Sequence, residues 1–406
     1  MTVEIQVNNS ASPAARFVNW APSPCRLRIT DPSGATGTTA TVKIGSLSAT
    51  GGGAVRFRKG ATGTFTSSIS LTVPVDGSSV PFFTAGVFGK PSVNNGDVAI
   101  QSRVGTAVVG TVAVMVRIRK NANRLTAGER DRLLAAFAQL NDRGRGRFVD
   151  FRNMHTNVSS PQAHGAPAFL PWHRAYLLDL ERELQAIDAS VALPYWRFDQ
   201  PAPNLFSPDF IGASDGVGTV QFSSANPLQF WSTDGTPGIN RRPFFDTDGA
   251  PADPLSEADT LALGSNYGDF RQMEGNPHGS AHVSFGGSIS SIGTAARDPL
   301  FFLLHCNVDR LWAKWQRLNN RFNAATPASY DGSGGNPVGH NLPDTMWPWN
   351  GVTGGSRPPT APGGALAGSA CVTAPGPQPR VRDELDYQGR IDALGRLGFD
   401  YDDVRF

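Results

Sequence analysis

The stretch "AHGAPAFLPWHRAYLLDLERELQ", residues 163–185, sets two histidines nine positions apart on either side of a Pro-rich apolar turn that runs into a helix. In a helix that follows Pro171, positions 173, 177, 180 and 184 share one face. His173 therefore opens a stripe otherwise made of Leu177, Leu180 and Leu184, and is predicted to point into the domain. A buried imidazole needs a polar partner or costs about 1–3 kcal/mol. Whether His173 has such a partner depends on where the other histidines lie.

The chain has seven, and all of them follow residue 154: His155, His164, His173, His278, His282, His305 and His340. The stretch "DPLFFLLHCNVDRLWAKWQRL", starting at Asp298, puts His305 on a stripe with Phe301, Val308 and Trp312, while Asp309 sits one turn on and slightly to the side. His278 and His282 are four apart and share one face of a short helix. His155 and His164 lie on segments leading into the His173 helix. Six histidines thus sort into two triplets, and His340, in "NPVGHNLPDT", reads as an ordinary surface residue.

A lone histidine on an apolar face is ordinarily a hydrogen-bonded core residue, and an i,i+4 pair alone says little. Six in one region are hard to satisfy separately, whereas a metal ion satisfies three at once. All-imidazole sites suit zinc, copper, iron or nickel, and without a cysteine cluster a structural thiolate zinc site is disfavoured. Two three-histidine sites face to face describe a dinuclear centre, for which copper and zinc both remain open. A redox-active copper pair can hold dioxygen between its metals.

At 406 residues the chain exceeds what one core usually supports. From residue 26 to 118 short β-type runs alternate with turn residues: "RLRIT", "TATVKIGSL", "GAVRFRKG", "SISLTVPV", "VPFFTAGVF", "DVAIQSR" and "TVAVMVRIR". This pattern predicts an all-β sandwich of about seven strands. It holds no cluster of metal-ligating residues and reads as a scaffold, cover or interaction module. The character changes at "LTAGERDRLLAAFAQLND", where Thr126 can cap a helix with Glu129 three residues on, ahead of Leu133, Leu134, Phe137 and Leu140. The domains are therefore placed at 1–119 and 120–406, the second mainly helical. Further helices are signalled by Pro171, by Asn276-Pro277 before "HGSAHV", and by Asp298-Pro299. Long Gly/Pro-rich segments, 199–260 and 319–376, contain Trp231, Phe244, Phe245, Trp347 and Trp349, which favours packed loops.

Charged residues make up 17% and the formal net charge is +2, so nucleic acid is not an implied partner. The basic runs "RIRKNANR" (117–124) and "NDRGRGR" (141–147) read as solvated linker faces. The N-terminus has neither a basic n-region nor an apolar h-region, and no apolar run is long enough to span a bilayer. The chain as given is expected in the cytoplasm, with export through a removed leader or a helper protein left open. Three cysteines, Cys25, Cys306 and Cys371, argue against a disulfide framework and mildly for a reducing compartment.

Taken together, "MHT…AHGAPAFLPWHRAYLLDLERELQ…VALPYW" and "EGNPHGSAHVSFGG…ARDPLFFLLHCNVDRLWAKWQ" resemble the two copper-binding signatures of the type 3 copper proteins, the family of tyrosinases, catechol oxidases and hemocyanins. The resemblance covers about residues 125–320, with a fainter echo in the C-terminal "LGFDYDD". It implies a four-helix bundle holding two copper ions, the first on His155, His164 and His173, the second on His278, His282 and His305. It also implies dioxygen-dependent oxidation of o-diphenols to o-quinones, extended in tyrosinases to monophenols, with o-aminophenols as further candidates. Dioxygen and phenolic small molecules are the implied partners, and a copper-loading helper is a candidate one. Glu274 occupies the place of a water-holding glutamate, a candidate base for the phenol, and Asp309 is placed to orient a ligand imidazole.

Several positions depart from the family pattern. Gln162 stands where many plant and fungal members carry the cysteine of a Cys-His thioether, so no crosslink is expected. Gly279 stands where several tyrosinases have an Asn that helps deprotonate monophenols. Leu304 replaces a second histidine before His305. Ile292 aligns with a bulky gating Phe, and its smaller side chain is expected to leave the substrate pocket open. No C-terminal shielding domain is expected, the additional domain being N-terminal. The competing readings are a reversible dioxygen carrier of the hemocyanin kind and a non-redox dinuclear zinc protein.

Overall fold

Strict alternation of buried and exposed side chains builds the strands of the N-terminal region: in Ser23–Asp31, Cys25, Leu27 and Ile29 are buried while Arg26, Arg28 and Thr30 face water. The computed structural model describes residues 1–214, 217–243, 253–331 and 335–406. Within them β1 (Thr2–Val7), β3 (Ser23–Asp31), β5 (Val55–Arg58) and β7 (Val80–Gly86) form a four-stranded sheet in the order β1-β3-β7-β5. The five strands β2 (Phe17–Val18), β4 (Thr39–Ser48), β6 (Ile69–Pro74), β8 (Val98–Val104) and β9 (Ala107–Val116) form a second, in the order β2-β9-β8-β4-β6. Both sheets turn apolar residues into one core, Leu27 and Phe82 from the first meeting Val42, Ile44 and Val114 from the second. The sequence-derived set of seven strands omits β1, whose Val3, Ile5 and Val7 alternate as the others do, and the two-residue β2, too short to show a period. Gly86 lies where a Cβ would fall 2.6 Å from Val116 Cγ1 and 2.8 Å from the Trp20 ring, so only glycine fits under that indole.

The chain divides into two compact units, and the division is not a single cut. Met1–Ile118 is joined by Ser369–Thr373 and Arg396–Phe406; the second unit is Arg119–Gly368 with Ala374–Gly395. A boundary near residue 120 with everything after it in one domain therefore needs correcting. In the first unit Asp400 Oδ2 accepts from Trp20 N at 2.9 Å and Ala21 N at 3.2 Å, and Trp20 Nε1 donates to Tyr401 O at 2.8 Å. These bonds satisfy buried groups that a local reading of "LGFDYDD" cannot connect with residue 20.

The described helices of the second unit are α1 (Ala127–Asn141), α2 (Phe148–Met154), α3 (Ser160–Ala163), α4 (Phe169–Ile187), α5 (Glu257–Leu261), α6 (Tyr267–Phe270), α7 (Ser280–Val283) and α8 (Leu300–Asn319), besides 3-10 turns. Thr126 and Glu129 form the expected reciprocal cap on α1. α4 starts at Phe169, two residues before Pro171. The proline falls inside the first turn, where its missing N–H has no intrahelical partner to lose. Before α7, Asn276 has non-helical angles and residues Gly275–Gly279 form one widened turn, so His278 precedes the helix rather than sharing it with His282. α4 packs against both α1 and α8. In the described parts of the long segments Trp231, Trp347 and Trp349 are buried, as packed loops require; Phe244 and Phe245 lie outside the described residues. No described helix is long and apolar enough to cross a membrane.

Candidate metal centre

His173 and His305 face each other from α4 and α8, their rings stacked with centroids 4.2 Å apart and an angle of 7° between planes. Around His173 stand His155, at the C-terminal cap of α2, and His164, just past α3. Around His305 stand His278 and His282, with ring centroids 4.8 and 5.2 Å from it. In each triad the candidate ligand atoms lie within 4.8 Å of one another. Two phenylalanines separate and wall the rings: Phe169 is 4.8 Å from both His173 and His278, and Phe301 is 4.6 Å from His155 and 4.3 Å from His305. Neither stands out in sequence from the other apolar residues of its helix.

The hydrogen bonds assign the protons. His155 Nδ1 donates to Ile292 O at 3.0 Å, His173 Nδ1 to Phe169 O at 2.8 Å, His278 Nδ1 to Glu274 O at 2.7 Å and His282 Nδ1 to Ile289 O at 2.8 Å. A carbonyl only accepts, so each Nδ1 carries the hydrogen and each Nε2 presents a lone pair. Nε2 of His155, His173 and His278 is buried without a hydrogen-bond partner, as is Nδ1 of His164 and of His305. His282 Nε2 lies 3.1 Å from His305 Nε2. Buried ring nitrogens left unpaired in this number are costly in a metal-free protein, and lone pairs converging in threes fit two metal ions.

Burial holds these imidazoles neutral. It is the largest cause that lowers His155 to about 3, His164 to about 2 and His282 to about 4, and keeps His173, His278 and His305 well below the usual range. Repulsion from neighbouring rings adds to it for all but His282. One ring of each triad, His164 and His282, is only partly buried, which gives both groups a face toward solvent.

The other sequence-derived candidates are placed as follows. Glu274 sits on the turn before His278; its Oε1 accepts from Gly165 N at 2.7 Å, its Oε2 is 3.6 Å from Arg271, and burial raises its pKa. Ile292 is 45% exposed and contributes its carbonyl to His155 as well as an uncovered side chain. At Gly279 a Cβ would meet Glu274 O at an ordinary 3.5 Å. Asp309 requires a correction: its oxygens accept from Arg174 Nε at 2.6 Å and Arg119 Nη1 at 3.2 Å, and no imidazole Nδ1 bonds to it. Arg119, from the run read as a solvated face, is fully buried and also pairs with Glu181 at 2.8 Å. His340 is likewise no surface residue: it is fully buried, bonded to Pro161 O and Ala168 N.

A sequence profile described as the common central domain of tyrosinase matches residues 145–318, the span that holds the six clustered histidines. The tyrosinase of Streptomyces antibioticus is 35% identical over 267 residues, 58% of this chain and 94% of that protein. That of Streptomyces glaucescens is 37% identical over 264 residues, 57% of this chain and 92% of its own. Grixazone synthase of Streptomyces griseus is 31% identical over 264 residues, covering 50% and 85%. Among solved structures, a functional unit of octopus hemocyanin is 21% identical, with a TM-score of 0.45 over 72% of this chain and 69% of that one. Ligand type alone leaves copper and zinc open, and the Streptomyces relatives decide between them: the chain belongs to the tyrosinase family, oxidoreductases of the type 3 copper class whose cofactor is a pair of copper ions.

Proposed function

We propose that the chain oxidises o-diphenols to o-quinones with dioxygen, with o-aminophenols and monophenols as further candidate substrates. In this reading His155, His164 and His173 hold one copper and His278, His282 and His305 the other. The observation that carries it is the convergence of one ring nitrogen from each histidine in two abutting triads, with Nε2 of His155, His173 and His278 buried and unpaired. Helices α2, α4, α7 and α8, each bearing or adjoining a ligand, serve as the four-helix frame. Bound there, the copper pair supplies the two-electron redox chemistry; two diphenols give up four electrons and four protons, and one dioxygen leaves as two waters.

The rest falls to this chain's side chains. Backbone carbonyls fix the Nδ1 proton of His155, His173, His278 and His282 and so orient those rings. Phe169 and Phe301 exclude water between the triads. Glu274, raised by burial and steadied by Gly165 N–H, takes the phenolic proton at its Oε2. Ile292 leaves the approach uncovered. An oxygen-uptake and quinone-absorbance assay on the copper-loaded protein, with catechol, o-aminophenol and tyrosine side by side, tests the reading. Catechol turnover is expected. Dioxygen binding with no phenol consumed would overturn it.

A further inference from the structure

The turn that carries His164 joins α3 to α4, and four side chains from other parts of the second unit hold it. His340 accepts from Ala168 N through Nδ1 at 3.1 Å and donates from Nε2 to Pro161 O at 2.9 Å. One tautomer of a neutral ring makes both bonds, so the imidazole ties α3 to the N-cap of α4, an alanine that offers no side-chain cap of its own. His164 lies between the two tethered residues. Tyr267 Oη donates to Pro167 O, Glu274 accepts from Gly165 N, and Arg357 Nη1 donates to Gln162 Oε1.

His340 is itself fixed. Tyr330 Oη donates to its carbonyl at 2.8 Å, its own N–H reaches Pro337 O at 3.0 Å, and Asp344 accepts from Gly339 N at 2.9 Å and Asn341 N at 3.1 Å. Gly339 has φ +95°, and a Cβ there would lie 2.5 Å from Arg357 Nη1 and 2.8 Å from Gln162 Oε1. Only glycine lets the His340 loop lie this close to the Gln162–Arg357 pair. The loop is built around its contact with the His164 turn.

We infer that His340 is a positioning residue for the first metal site, clamping the turn so that His164 is held in reach of His155 and His173 before a metal arrives. Gln162, at the position where a thioether would otherwise restrain this histidine, supplies through Arg357 a second, non-covalent restraint. The inference rests on the reading of His164 as a metal ligand. A ligand held in place by its supporting bonds loses less freedom on binding, and removal of such support typically lowers metal affinity about 10–100-fold.

The test is copper titration of the full chain against a competing chelator, resolving the two affinities, with far-UV circular dichroism of the copper-free protein as the check on folding. His340→Leu is expected to weaken one copper by about 10–100-fold and leave the other within about twofold. The loss should persist in a His278→Ala background, where only the first triad is intact, and vanish in a His164→Ala background. His340→Gln, whose amide can accept and donate as the ring does, should recover most of it. Equal weakening of both coppers, or of neither, overturns the inference. If His164→Ala itself binds both coppers as the parent does, the ligand reading falls and the inference with it. Should His340→Leu fail to fold, Arg357→Met, which removes the bond to Gln162 Oε1 together with the one to Thr345 O, must weaken the same copper by a smaller factor, and no change there is a refutation.

Discussion

Six imidazoles, four of them with the proton fixed on Nδ1 by a backbone carbonyl, are the chemical content of this centre, and they set its response to acid. Their folded pKa values lie below the ordinary 6.5, so between about pH 6.5 and those values the unfolded chain binds more protons than the folded one. Stability of the copper-free protein is therefore expected to fall as pH drops through that window. Copper should be released in the same direction, since only neutral rings ligate. Urea midpoints of the copper-free protein from pH 7.5 to 4.5 check this, and a flat profile contradicts it. Glu274→Gln keeps the shape and the Gly165 contact but cannot take a proton. Copper content is expected to hold while kcat drops roughly 10²–10⁴-fold, as loss of a general base does; steady-state kinetics beside metal analysis separate the two. The six clustered histidines were legible because helical spacing and their confinement to one region are properties of the sequence. His340 was not, since its partners Pro161 and Ala168 lie 179 and 172 residues away and are backbone atoms, which leave no trace in side-chain pattern.

Between α4 and α8 lies a buried set of ions that composition cannot reveal. Arg119 pairs with Glu181 and Asp309, residues 62 and 190 positions away, and Arg174 joins Asp309 to Gln316. The leucine stripe of α4 and the start of α8 follow from periodicity. The burial of Arg119 does not, because a charge in a short basic run looks solvated until distant carboxylates are brought to it. Arg119→Met leaves Glu181 and Asp309 short of a buried countercharge and is expected to cost about 3–5 kcal/mol in urea unfolding. A loss below about 1 kcal/mol would mean the pair is compensated by water. Because Arg174 follows His173 directly and is locked to Asp309, the same variant should disturb the helix face that presents His173, visible as a lowered copper affinity.

The first unit is discontinuous: residues 396–406 return to it and satisfy Trp20 and Ala21 through Asp400 and Tyr401. A fragment of residues 1–118 would leave the Trp20 indole and backbone N–H unmatched, while Ala21 N keeps only Asn19 Oδ1 at 3.1 Å. It is expected to be less protected from proteolysis than the same residues in the full chain, and equal protection in limited digestion would contradict this. The alternation that marks the strands is local and so readable; the return is not, because "LGFDYDD" has no periodicity that names a destination. This connection also orders assembly during synthesis. N-terminal units ordinarily finish folding first as a chain leaves the ribosome, at about 5–20 residues per second. Here the β-unit waits tens of seconds for residue 400 to emerge, while the segments carrying the last of the histidines, at 305 and 340, are already out. The helical unit likewise takes its last part from residues 374–395, whose Glu384 O and Leu385 O accept from Arg174 and Gln316, so both units draw on the end of the chain and finish folding almost together, with every histidine already made.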